Sequence, residues 1–455
     1  MSHSITHNYA ERAIFVTNSY APNGVVWSGT NGLAVVSANS TNLVFTPTNS
    51  TPSNYVIQVS AVGLSNCFDT CEVVVLKAEL TNMTFGKGWN LVPDTGGTYP
   101  TPHWTSNNRS PYLYQRSSHI NATATFKIEP ATYTGIITLS GDGSGDLDFT
   151  NTTVAVSGGF AIYPATDSTG TLTNYVDFWN PMQLNWKYGV GGTAAADAGQ
   201  ASNKVYVSLA NPTTVPTLYH TVVHLACSVG HATNEQQAVS NSWSQLAGHN
   251  FTTWEGKTLY YYRDGAGWNS PGQVSQLLTT SNANCVAWRN LLRYALAVNG
   301  VGSDRIYIAA TGPTNEVFLV GDWTFGAASF SNTSPYNWRL QFITNNVDMG
   351  PRPTGDVYGD LASLTTISGQ NTTPPSEKVF GNHRMVRYGG VYYDPSYGVT
   401  HATISNLVES AVDGYGYYQV GDPTSNFVLR VKTSTGVYEI DEVVNHPSDF
   451  SDGLP

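Results

Sequence analysis

Charged side chains are scarce in this 455-residue chain, at 11% of residues, and basic ones are scarcest, with 20 Lys+Arg against 31 Asp+Glu. The formal net charge of −11 and the lack of any basic run exclude a phosphate-tracking surface, so nucleic acid is not expected as a partner. No apolar run approaches the roughly 18 residues of a membrane-crossing helix, so no membrane span is expected. The opening residues Met1, Ser2, His3, Ser4 and Ile5 lack the charged start and apolar middle of a signal peptide. Cysteine is almost missing too. Four in the whole chain exclude a disulfide framework. Cys67 and Cys71 share one short segment and could close a local bridge, while Cys227 reads as a buried helix residue. That leaves Cys285 as the single cysteine with chemistry around it.

What fills the chain instead is aromatic and small polar: 12% aromatics and 43 glycines, with abundant Asn, Thr, Ser and Tyr. This texture points to a β-rich protein that works outside the cell or at its surface. Asn-x-Ser/Thr triplets at Asn82, Asn121, Asn250 and Asn371 arise by chance in so Asn- and Thr-rich a chain and carry no argument for glycosylation.

The length suggests about three domains. Residues 1–78 alternate six short β-branched runs with polar turns at about ten-residue spacing, which predicts a small antiparallel sandwich with Trp27 as its core aromatic. Residues 79–200 continue in the same style as a second β-rich domain. Within them, Gly141 to Thr150 alternates Asp and Gly but lacks the acidic spacing and the final Glu of a calcium loop, so a polar hairpin connection is expected. Helical patterns begin only in the third domain, 201–455. There His220, His224, Cys227 and His231 fall on one helical stripe, yet Thr221 stands where a zinc protease needs Glu. A structural face is expected from them, and no metal or cofactor.

The chemistry-bearing residues come in three blocks. Asn282 or Asn284 can cap a helix that Cys285 opens, with Trp288, Leu291, Leu292, Ala295 and Val298 as its apolar stripe and Gly300 as its stop. A cysteine in a first turn meets the positive end of the helix dipole, which favours the thiolate. Farther on, the β-prone runs 383–388 and 391–394 flank Gly389 and Gly390, a pair suited to a two-residue hairpin turn. If Tyr388 pairs with Val391, His383 and Asp394 become diagonal neighbours on one face, within side-chain reach. An imidazole held by a carboxylate is a base fixed in one tautomer. Cys285, His383 and Asp394 thus form a candidate nucleophile, base and orienting group.

At these residues the chain resembles the transglutaminase-like branch of the papain-like cysteine enzymes. Cys285-Val286-Ala287-Trp288 with Gly300, Asn382-His383, and Asp394-Pro395-Ser396-Tyr397-Gly398 match that family's helix and strand blocks in order. Pro374-Pro375 and Phe380-Gly381-Asn382-His383 are similar to a bacterial subgroup, and the resemblance covers about residues 205–400. Residues 1–78 resemble the immunoglobulin-like modules of bacterial surface proteins. The implied fold class is multidomain: immunoglobulin-like β-sandwich modules followed by an α+β transglutaminase-like domain.

The resemblance implies a Cys285 thioester formed from an amide of a protein or peptide, then hydrolysis, deamidation or transfer to an amine, as in a peptidase, amidase or acyltransferase. The oxyanion donor is left among the Cys285 N–H, Gln276 and, as in animal transglutaminases, Trp268. Residues 325–373, rich in Asn, Thr, Gly and Pro, are expected to loop over the site. A second reading is a non-catalytic extracellular structural or adhesion protein carrying a degenerate domain of this type.

Overall fold

Between His119 and Glu129 the side chains alternate, and Ile120, Ala122, Ala124, Phe126 and Ile128 are all buried. That period of two makes a strand with one face on a core. It pairs antiparallel with Phe68–Gly86 on one side and Phe160–Thr171 on the other. Asp177–Gly189 repeats the pattern with Met182, Leu184, Trp186 and Tyr188 buried. Trp186 meets Phe126, Phe149 and Tyr163 at ring separations of 5.0–5.5 Å, an aromatic core of the edge-on and offset kind that such rings prefer.

This computed structural model describes residues 68–190, 195–213, 217–263, 272–310, 368–372 and 379–418 as continuous stretches, with shorter strand segments elsewhere. The chain is mostly β, a mixed α+β architecture with several sheets and a few helices. It divides into two compact units. One comprises Met1–Asn90, Tyr99–Asn174 and Trp179–Val205; the other comprises Leu91–Thr98, Tyr175–Phe178 and Tyr206–Pro455.

In the first unit the strand Phe68–Gly86 runs on through Ala78, pairing with Ser53–Ala61 early and with His119–Glu129 later. The Asp- and Gly-rich stretch after Leu139 is the connection of a hairpin, Ile136–Gly143 with Phe149–Ala155. Cys67 and the side chains of Trp27 and Cys71 lie outside the described residues.

The second unit holds the helices α1 (His220–Cys227), α2 (Glu235–Leu246), α3 (Val274–Thr280), α4 (Cys285–Val298) and α5 (Ile404–Ala411). None among the described residues is long and apolar enough to cross a membrane. α4 is buried nearly all round, including Trp288, Arg289 and Asn290, as expected of a helix at the centre of a unit. It packs against α1, α2, α3 and the strand His383–Tyr388. That strand belongs to a five-stranded sheet in the order Val399–His401, Val391–Asp394, His383–Tyr388, Asp304–Ala310, Ile440–Val444, antiparallel throughout. A six-stranded sheet includes Trp338–Phe342 and Val357–Gly359, so the stretch expected to be loop contributes two strands.

The histidine stripe of α1 is an aromatic and polar cluster. His220 Nε2 and His224 Nδ1 converge on the Tyr206 hydroxyl at 2.8 and 3.1 Å, and His220 stacks on Trp254. The Cys227 thiol is fully buried and pushed up by that burial, which makes it inert. His231 lies beyond the helix end, its ring against Tyr175. Among the described residues, no group of three or more His, Cys, Asp or Glu side chains comes together as a metal site. α1 has no side-chain cap of its own; Asp94 supplies one, accepting from the N–H and hydroxyl of Thr221 at 2.9 and 2.5 Å.

Candidate active site

Asn284 caps α4, its Oδ1 accepting from the Val286 N–H at 3.0 Å, and this sets Cys285 as the first helical residue. The helix ends as its sequence requires. Gly300 takes φ +73° while its N–H and that of Val301 close on Ala297 and Leu296. α4 therefore holds the Cys285 side chain, almost fully buried, at a helix N-terminus beneath the sheet strand that carries His383.

His383 begins its strand and Asp394 ends the next. Tyr388 pairs with Val391 across Gly389 and Gly390, both with positive φ. The register makes His383 and Asp394 diagonal neighbours, and Asp394 Oδ2 accepts from His383 Nε2 at 2.6 Å. The other oxygen, Oδ1, accepts from the N–H groups of Ser396 at 3.1 Å and Tyr397 at 3.4 Å. Asp394 is thus held by its own turn, an arrangement that Asp-Pro sequences favour. The turn ends at Gly398, where φ is +63° and a Cβ would sit 2.3 Å from the His249 ring.

In the neutral ring the bond to Asp394 assigns the tautomer: Nε2 carries the proton, and Nδ1 is the nitrogen that gains one in the imidazolium. Nδ1 is buried and lacks a fully formed hydrogen bond, while the Cys285 side chain is near enough to act on the ring as hydrogen-bond partner and as charge. The thiol therefore lies beside the imidazole without a completed hydrogen bond to Nδ1. Such loose geometry is common before a substrate is bound. Phe380 and Tyr397 flank the imidazole, at ring separations of 5.5 and 5.6 Å. His401, on the next strand, extends the row; burial lowers its proton affinity, so it stays neutral beside the pair.

Burial is the largest influence on His383 and pushes its proton affinity down, yet the charge and hydrogen bond of Asp394, then those of Cys285, outweigh it and raise the pKa to about 10. Folding therefore favours the imidazolium. Its contribution to stability is complete below the ordinary value of 6.5 and is lost as pH rises through about 10. Urea unfolding of the wild type and of His383→Gln should show the stability gap between them shrinking from about pH 7 to about pH 10. A gap independent of pH in that window would show that the imidazolium is not what the fold stabilises.

Gln276 sits exposed on α3, and the bonds described for it are those of its carbonyl with Thr279 and Thr280. Trp268 lies outside the described residues. Gln370 had no signal in the sequence. Fully buried, it donates from Nε2 to the carbonyls of Leu246 and Pro395 at 2.6 and 3.0 Å. Its backbone N–H donates to Ser396 O. It clamps the turn that holds Asp394.

Fold and site together define an α+β protein whose second unit brings one cysteine, one histidine and one aspartate into a buried cluster. Comparison with protein-family models and with curated proteins finds no match. Among solved structures, an endo-fucoidan hydrolase of glycoside hydrolase family 107 is similar at 15% identity and a TM-score of 0.17, over 45% of this chain and 32% of that one. Extracellular cadherin domains 1–4 of protocadherin gamma B7 are similar at 7% identity and TM-score 0.13, over 40% of each chain. Cadmium-bound SporoSAG is similar at 10% identity and TM-score 0.12, over 45% of this chain and 94% of that one. The chain thus spans about a third of the hydrolase and two fifths of the cadherin fragment. Scores so low carry no argument, and the function rests on this chain's own residues.

Proposed function

We propose that this is a cysteine acyl-transfer enzyme of transglutaminase-like type, acting on amide bonds of proteins or peptides outside the cell or at its surface. In this reading, immunoglobulin-like sandwich modules over residues 1–78 and a second β-rich domain over 79–200 precede the catalytic part, 201–455. The observation that carries it is the His383 imidazole, fixed by Asp394 at 2.6 Å and influenced by a cysteine at the start of a helix packed on its strand.

His383 Nδ1 takes the Cys285 proton, and Asp394 stabilises the resulting imidazolium. The thiolate adds to the amide carbonyl; His383 returns the proton to the leaving nitrogen; a thioester remains. Water or an amine, deprotonated in turn by His383, then releases the acyl group. Residues 325–373 are polar and glycine-rich in sequence, which suits them poorly to excluding water from the thioester. Hydrolysis is therefore expected to match or exceed transfer.

The alternative, a structural or adhesion component with a silent site, is favoured by one observation: Cys285 and His383 are only 4% and 0% exposed. Iodoacetamide at about pH 6 separates the two. The enzyme reading expects one thiol to be labelled stoichiometrically, and the label to vanish in Cys285→Ser. Casein with a dansylated amine then reads the partition, with acid release at least as fast as amine incorporation. An unlabelled wild type would support the silent site, and dominant incorporation would make the protein a crosslinking enzyme.

A further inference from the structure

We propose that the hydroxyl of Tyr261 is the oxyanion donor of the Cys285 site, an assignment that rests on the acyl-transfer reading above. The strand Tyr260–Tyr261 pairs in parallel with Asn282–Ala283, which puts Tyr261 opposite Ala283, in the segment that leads directly into Cys285. The Tyr261 N–H donates to Gln370 O at 2.9 Å, and the Tyr262 N–H to Ala283 O at 3.3 Å, so the backbone is tied on both sides. The Tyr261 ring stands edge-on to Tyr397 at 5.2 Å, and Tyr397 in turn flanks His383. The phenol is therefore built into the same wall as the thiol and its base.

What makes this residue unusual is its hydroxyl. Tyr261 is fully buried, and its oxygen has no completed hydrogen bond; Tyr397 is in the same position, with the two hydroxyls close enough to influence each other but not bonded in good geometry. Unpaired buried hydroxyls are uncommon and costly, and where they persist a functional partner is the natural explanation. Burial first, and then the charges of Tyr397, Cys285, Tyr262 and Asp394, hold the Tyr261 proton well above its ordinary affinity, so the group remains an O–H donor. For Tyr397 the leading charge is Asp394 and Cys285 comes last. Both hydroxyls feel the Cys285 and Asp394 charges; the strand pairing with Ala283, two residues before Cys285, singles out Tyr261.

The chemistry needs such a donor. When the Cys285 thiolate adds to the carbonyl carbon, the C=O π pair moves onto oxygen. That oxyanion has the first-turn N–H of Cys285 on one side, a helix amide without an intrahelical acceptor. Tyr261 O–H supplies the second bond. Collapse re-forms the carbonyl and expels the amine, which takes its proton from His383 Nδ1. With Gln276 exposed on α3, no amide side chain of that helix competes for the role.

The test is Tyr261→Phe, read by two reactions of the same thiol. Alkylation by iodoacetamide forms no oxyanion; acylation by p-nitrophenyl acetate does. We expect alkylation of Cys285 within about twofold of wild type. Acylation should fall about 100-fold, as a loss in kcat with KM nearly unchanged, the usual effect of removing one such donor. The melting temperature should hold or rise, since no partner is left unpaired. Equal acylation in wild type and Tyr261→Phe overturns the assignment, and so does a parallel loss of both reactions, which would mark a structural role. A wild type that neither alkylates nor acylates at Cys285 removes the enzyme reading itself, and this assignment with it.

Discussion

Cys285→Ala is expected to leave no thiol-dependent turnover, a loss of about a thousandfold to a millionfold, with the fold intact. Cys285 is almost fully buried at the start of α4, and alanine is small and the best helix former, so the melting temperature should move by only a few degrees. His383→Ala should be about as severe, and the double variant no worse than either, because the two act as one unit. Asp394→Asn should lose less, about 10- to 1000-fold. The reason lies in the carboxylate's two duties. Oδ2 holds His383 while Oδ1 accepts from Ser396 and Tyr397, and a carboxamide has one acceptor oxygen for both. The His383 titration should move down with it, since the Asp394 charge is what raises it most. Turnover of a glutamine peptide by Cys285→Ala at the wild-type rate would end the assignment.

The second large effect is on stability and comes from a residue outside the reacting set. Gln370→Leu should destabilise the second unit by about 3–5 kcal/mol. Leucine fills the space but strips the donors from the Leu246 and Pro395 carbonyls and the acceptor from the Phe251 N–H, all buried. Each orphaned group costs about 1–3 kcal/mol, softened by relaxation. Because Pro395 and Ser396 follow Asp394, the same substitution should also slow thiol alkylation. Denaturant unfolding with an unchanged m-value measures the first effect; iodoacetamide kinetics below the transition measure the second. A loss under about 1 kcal/mol would show that the turn is held by other means.

The parts of this site that were legible in the sequence are those with a local pattern. Asn284, Cys285 and Gly300 mark a helix by cap, periodicity and stop, and of the two Asn residues offered, Asn284 makes the cap. Gly389-Gly390 between alternating runs marks the hairpin, and the register then follows by counting. Gln370, Asp94 and Tyr261 could not be read. Gln370 bonds Leu246 across 124 positions, and Asp94 bonds Thr221 across 127, distances at which no periodicity or turn chemistry speaks. Tyr261 is one tyrosine among 27, and it stands out only by a buried unpaired hydroxyl, shared with Tyr397, on a strand paired with the segment before Cys285. Local physics writes local structure; long-range polar contacts are settled by packing.

The placement of His383 and Asp394 on one hairpin also has a consequence in time. Their contact closes over only 11 residues, whereas Cys285 joins them across the whole stretch between α4 and the hairpin. Short loops close early and long ones late, because closure entropy grows with the length of chain enclosed. A refolding or newly made chain therefore joins His383 to Asp394 before it brings Cys285 to the pair. Cys285 meets them only when the sheet settles on α4. In the acyl-transfer reading proposed above, the onset of Cys285 labelling during refolding is expected to mark this last stage, later than the burial of the hairpin.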